Sequence, residues 1–202
     1  AWNQLSRLAV GVALGLREPI HDALYGLERN GNWRYGFIHT LRHDFLADGM
    51  QWEGSLSYHM VVLCAVAEAA TILESCGVDL WHKKLGALLQ TDSHDEHRGY
   101  GPKGTKCIKA GFDVFFYQMF PNGDYSILHD QILGNIRGTG SWWPLFPKAY
   151  EVYGDPKYAW LLNRMLRDFP ADKGSLLPPW FSRSDMEFVR LEARRYPAGE
   201  FT

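Results

Sequence analysis

The chain has 202 residues, of which 46% are hydrophobic and 22% charged. This length suits one domain with a sizeable core, and the composition excludes a disordered or fibrous chain. The 21 Lys and Arg residues nearly balance the 23 Asp and Glu residues, so no basic field indicates nucleic acid or an anionic membrane as a partner. The 8 Trp, 10 Tyr and 11 Phe residues exceed the needs of such a core and favour aromatic surfaces that bind ligands or partners.

The cysteines and the N-terminus indicate which further classes of protein can be set aside. Cys64, Cys76 and Cys107 are odd in number and include no CxxC pair, so neither a disulfide framework nor a zinc ribbon is predicted, and at most one pair can form. We find no apolar run of the roughly 18 residues needed to span a bilayer. The first ten residues lack the pattern of a signal peptide, so we expect any export signal to lie outside these residues.

Apolar residues recur at helical spacing in the first half of the chain. Three helices are predicted, at residues 3–16, 18–29 and 33–47, with turn sequences Asn30-Gly31-Asn32 and Asp48-Gly49 ending the last two. A fourth helix, residues 58–76, is apolar on almost every face, so we expect it to be buried. Ser55 or Ser57 can cap its start. A shorter amphipathic helix is predicted at residues 78–89.

The second half begins with the segment TDSHDEHRGYGPKGTK, residues 91–106, which has no hydrophobic period and is predicted to be a long functional loop. Further helices are predicted at residues 107–120, 148–153 and 156–169. Because strand-type alternation is scarce, we expect an all-α fold of helical hairpins in an array or ring, forming a single domain over residues 1–202.

Polar and aromatic residues concentrate in DGMQWEGSLSYH, residues 48–59, just before the most apolar helix. A Tyr in the first helical turn, such as Tyr58, is near the positive end of the helix dipole, which lowers the cost of a phenolate. Tyr58 can therefore act as a general base or acid. In the alternative interpretation, which the residues by themselves favour, Tyr58 is a packed aromatic residue and His59 is a hydrogen-bonded core imidazole.

The run DG-x-x-x-EGS-x-x-YH, followed by a long apolar helix, resembles the signature of the heparinase II/III-like and oligoalginate lyase families of polysaccharide lyases. The segments FPNGDYSILHD and YEVYGDPKYAWLL extend the resemblance, which covers residues 2–164. It implies that the chain is part of an (α/α) toroid. The family's C-terminal β-sandwich, which carries a further His, has no counterpart here. Family members also have helices before the position that corresponds to Ala1, so the resemblance implies a partial chain with an incomplete toroid.

The resemblance also implies a reaction, the β-elimination of uronate-containing glycans, with Tyr58 and His59 as catalytic residues. The C5 proton of a uronate becomes acidic enough only if the adjacent carboxylate is neutralised. In the family, side chains on an upstream helix bind that carboxylate, and Asn3, Gln4 and Arg7 stand at the corresponding positions of this sequence. Because many relatives have His where Gln4 stands, only carboxylate binding is expected of Gln4.

The resemblance and the aromatic residues together suggest a wider binding site. The predicted substrate-binding residues are Asn3, Gln4, Arg7, Trp52, Glu53, Trp142, Trp143 and His129. Glu53 can instead brace the loop, and Trp142 and Trp143 can instead pack a hairpin. His129 can instead cap a turn, the interpretation that the residues slightly favour. We expect an anionic polysaccharide or oligosaccharide as partner, no nucleic acid, no membrane, no cofactor and no metal, and the family implies a periplasmic or secreted location.

Other interpretations remain open. The chain can be a non-catalytic glycan-binding or scaffold fragment, or a glycoside hydrolase on a toroid, which would need two catalytic carboxylates. The cluster His94-Asp95-Glu96-His97 matches no zinc spacing and is expected to be a polar loop. A group of basic residues on the third predicted helix is expected to form a solvated face: Arg34, His39, Arg42 and His43.

Overall fold

The computed structural model describes residues 1–29, 32–86, 105–129 and 145–168. The chain divides into two compact units. The first comprises Ala1–Tyr117 and Leu128–Gln131, and the second comprises Gln118–Ile127 and Ile132–Thr202. The described part is mainly α-helical, with two short antiparallel sheets, which confirms the predicted class at that level.

The first unit begins with two packed helices, α1 (Trp2–Leu14) and α2 (Arg17–Tyr25). Helix α1 ends at Gly15, which has a φ of 67° and donates its N–H to Val12. The helices approach closely at Gly11, where a Cβ would lie 2.9 Å from the Cγ1 atom of Ile20. The first predicted helix is confirmed, and the second ends earlier than predicted.

Residues after α2 form a hairpin instead of more helix. Strands β1 (Gly26–Arg29) and β2 (Asn32–Tyr35) pair antiparallel, with Gly26 opposite Tyr35. The prediction of helix at residues 26–29 and 33–35 was therefore wrong. An Asn-Gly pair ends a helix, but between two short segments it is also the strongest local signal of a hairpin. A Cβ at Gly36 would lie 2.4 Å from the carbonyl oxygen of Leu24, so the chain returns closely to the end of α2.

The remainder of the third predicted helix is short and irregular. Helix α3 (Phe37–His39) continues into a π-helical turn, Thr40–Asp44, and Phe45 is already extended, with φ −92° and ψ 134°. Phe45 then forms a β-bridge with Gln51. Between them the N–H of Leu46 donates to the carbonyl of Met50 at 2.7 Å. The Asp48 carboxylate accepts the N–H of Met50 at 3.0 Å, which fixes the tight turn at Asp48-Gly49.

Helix α4 (Leu56–Glu74) forms the centre of the first unit. Its buried residues are Leu56, His59, Met60, Leu63, Cys64, Ala65, Val66, Ala67, Ala69, Ala70 and Leu73. Helices α1 and α5 (Ile108–Tyr117) pack against it. The predicted buried helix is thus confirmed. Fully burying one such leucine contributes about 1.5–3 kcal/mol.

The same helix corrects the expectation that no apolar run could span a bilayer. Helix α4 has 19 residues, and an 18-residue stretch of it is long and apolar enough to cross a membrane by length and composition alone. However, 61% of that 18-residue stretch is buried inside the protein. Since core helices pass the same test, the burial favours a core helix over a membrane-spanning one.

The predicted helix at residues 78–89 is absent over its described part. Residues 78–84 are non-helical, and strand β3 (Leu85–Gly86) pairs antiparallel with β4 (Thr105–Lys106). The Asp79 carboxylate accepts the N–H of His82 at 3.0 Å, a local bond that competes with helix formation. Residues 87–104, which include most of the predicted loop and His94 to His97, lie outside the described residues.

Within the described ranges, the second unit contains a turn and two helices. Met119 and Tyr125 form a β-bridge, and the turn between them includes Gly123, with a φ of 89°. Helix α6 (Leu145–Tyr153) packs against α7 (Pro156–Asp168), which confirms both predicted helices. The buried side chains of these two helices are Leu145, Phe146, Ala149, Tyr158, Ala159, Leu161 and Leu162.

Candidate functional site

The residues from Asp48 to Ser55, here called the motif loop, lead directly into α4. Hydrogen bonds define its shape. The Gln51 side chain is buried, and its Oε1 atom accepts the N–H of Glu53 at 3.0 Å. The N–H of Trp52 donates to the carbonyl of Asp44 at 2.8 Å, and that of Gly54 donates to the carbonyl of Gln51 at 2.9 Å. The loop is therefore braced from inside as well as from the neighbouring π-helical turn.

His59 is the centre of this bracing. Its side chain is fully buried, and Nδ1 accepts the backbone N–H of Gln51 at 3.1 Å. Since Nδ1 is an acceptor, Nε2 carries the proton of the neutral ring and donates it to the carbonyl oxygen of Gly111 at 2.8 Å. The ring lies between Phe45 and Phe115, at centroid distances of 5.7 and 5.4 Å.

The environment of His59 corrects its predicted catalytic role. Burial lowers the pKa of His59 to about 4, although the bond to Gly111 opposes that shift. A neutral imidazole with both nitrogens hydrogen-bonded to the protein has no position from which to exchange a proton with a substrate. His59 is therefore a core imidazole that positions the motif loop, as the alternative interpretation held.

Tyr58, the neighbour of His59, faces the other way. It is the third residue of α4, and its side chain is 44% exposed. Ser55 precedes the helix, and its hydroxyl is buried and makes no hydrogen bond within the described ranges. The first N–H groups of α4 thus have no cap from the Ser55 side chain, and negative charge that develops close to them is favoured by the helix dipole. The Tyr58 phenol is therefore accessible to solvent and is attached to the first turn of a buried helix.

His129 is brought to the motif loop by the tertiary structure. It is exposed and has a φ of 57°, a left-handed conformation that is uncommon outside glycine. Its ring lies against Gly54, where a Cβ would be 2.5 Å from both Cδ2 and Nε2 of the imidazole. Only glycine leaves room for this ring at position 54. An exposed imidazole therefore sits beside the loop that leads to Tyr58.

The three predicted carboxylate-binding residues lie on α1, which packs against α4. Gln4 donates an N–H of its amide to the carbonyl of Tyr35 at 2.9 Å, and its Oε1 atom is buried without a hydrogen bond from the described residues. Arg7 is 3.7 Å from the carboxylate of Asp22, and Asn3 is exposed. The exposed Asn3 amide, the second N–H of the Gln4 amide and the Arg7 guanidinium are donors on this helix that can bind an anion.

The other predicted binding residues divide into two groups. Trp52 and Glu53 are half-buried in the motif loop. Trp142 and Trp143 lie outside the described residues. The structure thus places Trp52, Glu53 and Tyr58 on the motif loop and the start of α4, with His129 against Gly54 of that loop. The α1 residues lie on a helix in contact with α4.

The sequence did not predict the role of two residues that support the motif loop. Besides Gln51, Lys106 is buried behind the loop and donates to the carbonyl oxygen of Phe45 at 2.7 Å. Burial lowers the pKa of Lys106, and the nearby charge of Asp48 opposes this shift. No spacing or motif marks either residue, because their partners are set by the packing of the loop against α4 and the β3–β4 sheet.

Comparison with family models, with curated proteins and with solved structures finds no match to this chain.

Proposed function

We propose that this chain is part of an (α/α)-toroid polysaccharide lyase that cleaves uronate-containing glycans by β-elimination. The observation that carries the proposal is the contrast between two neighbours at the start of α4. Tyr58 is 44% exposed on the first turn, whereas His59 is fully buried and braces the preceding loop. In this arrangement the exposed phenol is held by a helix and a loop whose positions are fixed by buried hydrogen bonds. General acid-base catalysis requires a proton-transferring group that is positioned in this way.

In the proposed reaction Tyr58, as a phenolate, removes the C5 proton of the uronate. The electron pair of the broken C5–H bond forms a double bond to C4, the bond from C4 to the glycosidic oxygen breaks, and the leaving oxygen takes up a proton. Tyr58 can return that proton, since it then carries it as a phenol. Charge on the carboxylate rises as the proton leaves, so hydrogen-bond donors close to it lower the barrier.

Donors for the carboxylate are available from two directions. His129 lies against Gly54 of the motif loop, and Asn3, Gln4 and Arg7 lie on α1. Arg7 would have to exchange Asp22 for the substrate. The 3.7 Å separation and the 43% exposure of the Arg7 side chain make this a weak surface pair, and such pairs contribute about 0–1 kcal/mol. From the resemblance to these lyase families, we also propose a periplasmic or secreted location.

The test is the ultraviolet absorbance of the unsaturated uronate product, measured with oligosaccharides of alginate, heparan sulfate, chondroitin and glucuronan. The parent chain is compared with Tyr58→Phe and with Tyr25→Phe. Tyr25 is a matched control because its side chain is also 44% exposed at a helix end. We expect product from the parent and from Tyr25→Phe, and a loss of turnover of about 100-fold or more in Tyr58→Phe.

The other outcomes distinguish the remaining interpretations. Equal activity of Tyr58→Phe and the parent would overturn the role of Tyr58. If no substrate yields product but one of them binds, as measured by calorimetry, the chain is a glycan-binding module. If the products are saturated reducing sugars without the ultraviolet absorbance, the chain is a hydrolase.

A further inference from the structure

We propose that His39, His43 and Asp44 form a binding site for a divalent transition-metal ion, and that the ion is zinc. One ligand atom from each side chain lies within 4.8 Å of the other two. The rings of His39 and His43 stack, with centroids 4.9 Å apart and an interplanar angle of 24°. The Nδ1 atom of His43 is 2.9 Å from Oδ1 of Asp44.

The backbone explains why these three residues meet. In a regular α-helix, residues four apart share a face, but a residue five positions on points about 140° away. Thr40–Asp44 is a π-helical turn, in which hydrogen bonds run from residue i to residue i+5 and each residue turns the chain through a smaller angle than in an α-helix. Asp44 is therefore rotated closer to the face that His39 and His43 share. π-helical turns of this kind occur frequently at functional sites.

The distances suit a small ion. In a tetrahedral zinc site with ligands at about 2.0–2.1 Å, the ligand atoms are about 3.3 Å from one another. The observed contacts, from 2.9 Å between His43 and Asp44 to a limit of 4.8 Å for the group, lie on both sides of that value. Side-chain rotations are thus enough to bring the three atoms onto one ion. Binding would replace the hydrogen bond between His43 and Asp44 with two bonds to the metal.

The donor set and its surroundings indicate which ion binds. Two imidazoles and one carboxylate suit zinc and its neighbours, whereas calcium and magnesium prefer oxygen ligands. The side chains of His43 and Asp44 are 16% and 28% exposed, so the site is partly shielded from water but open on one side. Three protein ligands leave a position for a water molecule or another ligand.

The site would connect to the motif loop through Asp44 itself. The carbonyl of Asp44 accepts the N–H of Trp52 at 2.8 Å, and the next residue, Phe45, bridges to Gln51. On the other side, Arg42 donates to the carbonyl of Gly86 in β3 at 2.9 Å. An ion bound at His39, His43 and Asp44 would therefore hold the π-helical turn against both segments. This inference does not depend on the lyase proposal.

The first experiment is calorimetric titration of the metal-free chain with zinc, together with the visible absorption of the cobalt-substituted chain. The variants are His39→Asn, His43→Asn and Asp44→Asn. His82→Asn is the matched control, because His82 also pairs with a carboxylate at 2.9 Å, that of Asp79, and is exposed. A variant lacking both His94 and His97, His94→Asn with His97→Asn, tests the other His-rich segment as the source of binding.

We expect one zinc ion per chain, a tetrahedral cobalt spectrum, and a loss of zinc affinity of about 100-fold or more in each of the three site variants. His82→Asn and the His94/His97 variant should bind as the parent does. Loss of binding in the His94/His97 variant with full binding in His39→Asn would overturn the proposal, as would no binding by the parent.

A second measurement on the unaltered chain guards against variants that fail to fold. Zinc should protect His39 and His43 from modification by diethylpyrocarbonate, as mapped by mass spectrometry, while His21 and His82 remain reactive. Equal modification of His39 and His43 with and without zinc would also overturn the proposal.

Discussion

The Nε2 atom of His59 donates a 2.8 Å hydrogen bond to the carbonyl oxygen of Gly111, and this bond joins α4 to α5 inside the core. The helices can approach this closely because position 111 has no side chain. A Cβ there would lie 2.9 Å from Cδ1 of Leu63 and 3.0 Å from Cε1 of Phe45. The same imidazole orders the motif loop through Gln51. Core packing and the placement of Tyr58 are therefore coupled.

Replacing His59 with Leu should destabilise the first unit. The substitution leaves the Gln51 N–H buried without its acceptor and removes a donor from the Gly111 carbonyl, which lies within α5. One unsatisfied buried group costs about 1–3 kcal/mol, so we expect the free energy of unfolding in urea to fall by about that amount. His82→Leu, at an exposed position, should change it by less than about 0.5 kcal/mol. Similar losses in both variants would contradict the structural role of His59.

Stability should also depend on pH through His59. Its pKa is lowered from 6.5 to about 4 on folding. Between these values the unfolded chain binds the proton and the folded chain does not, so the free energy of unfolding falls as the pH drops from 6.5 towards 4. The full effect is on the order of 3 kcal/mol. Above pH 6.5 this residue adds no pH dependence. The measurement is urea denaturation across this pH range for the parent and for His59→Leu. The free energy of unfolding of His59→Leu should change less over the range than that of the parent, by about this amount.

Gly49→Ala should be more damaging than its backbone angle alone implies. Gly49 has a φ of 92°, and a Cβ there would lie 2.2 Å from the carbonyl oxygen of Ala110. Gly77 has a φ of 77°, and no atom lies within 4 Å of the position that a Cβ would occupy, so Gly77→Ala isolates the backbone cost, about 1–2 kcal/mol. We expect a loss at least about 1 kcal/mol larger for Gly49→Ala, measured by thermal or urea unfolding. Equal losses would mean that the loop moves freely away from α5.

Gly54→Ala should affect activity more than stability. The added methyl group would meet the His129 ring at 2.5 Å, and an exposed side chain can move away. The loss of stability should resemble that of Gly77→Ala. Under the lyase proposal, turnover should fall by about 10- to 100-fold because His129 is displaced from the site. His129→Ala should give a similar loss, and the double variant should lose little more. Full activity in both single variants would exclude His129 from the reaction.

The three cysteines should differ in reactivity towards a disulfide reagent at mildly alkaline pH. All three are free thiols; Cys76 is exposed and Cys64 is buried. Burial, assisted by the charge of Glu68, raises the pKa of Cys64 well above its usual range. We expect Cys76 to react first and Cys64 only on unfolding, when three thiols should be titrated. Rapid reaction of Cys64 in the folded chain would show that α4 is not the buried helix described above.

Periodicity in the sequence was sufficient to predict α1, α4, α5, α6 and α7. It also predicted the burial of α4, because a helix that is apolar on almost every face has no side to turn to water. These features depend on residues a few positions apart. The motif loop and the place of Tyr58 at the start of α4 were found from the change from polar to apolar sequence, which marks the beginning of a buried helix.

Only the tertiary structure decided what neighbouring residues do. Tyr58 and His59 are adjacent in sequence, yet one is exposed and the other is sealed between Phe45 and Phe115. The contact of His129 with Gly54 depends on how distant segments of the chain pack. The clustering of His39, His43 and Asp44 depends on the local change from α-helical to π-helical hydrogen bonding. Burial, hydrogen-bond partners and backbone repeat are properties of the packed chain, so spacing along the sequence cannot specify them.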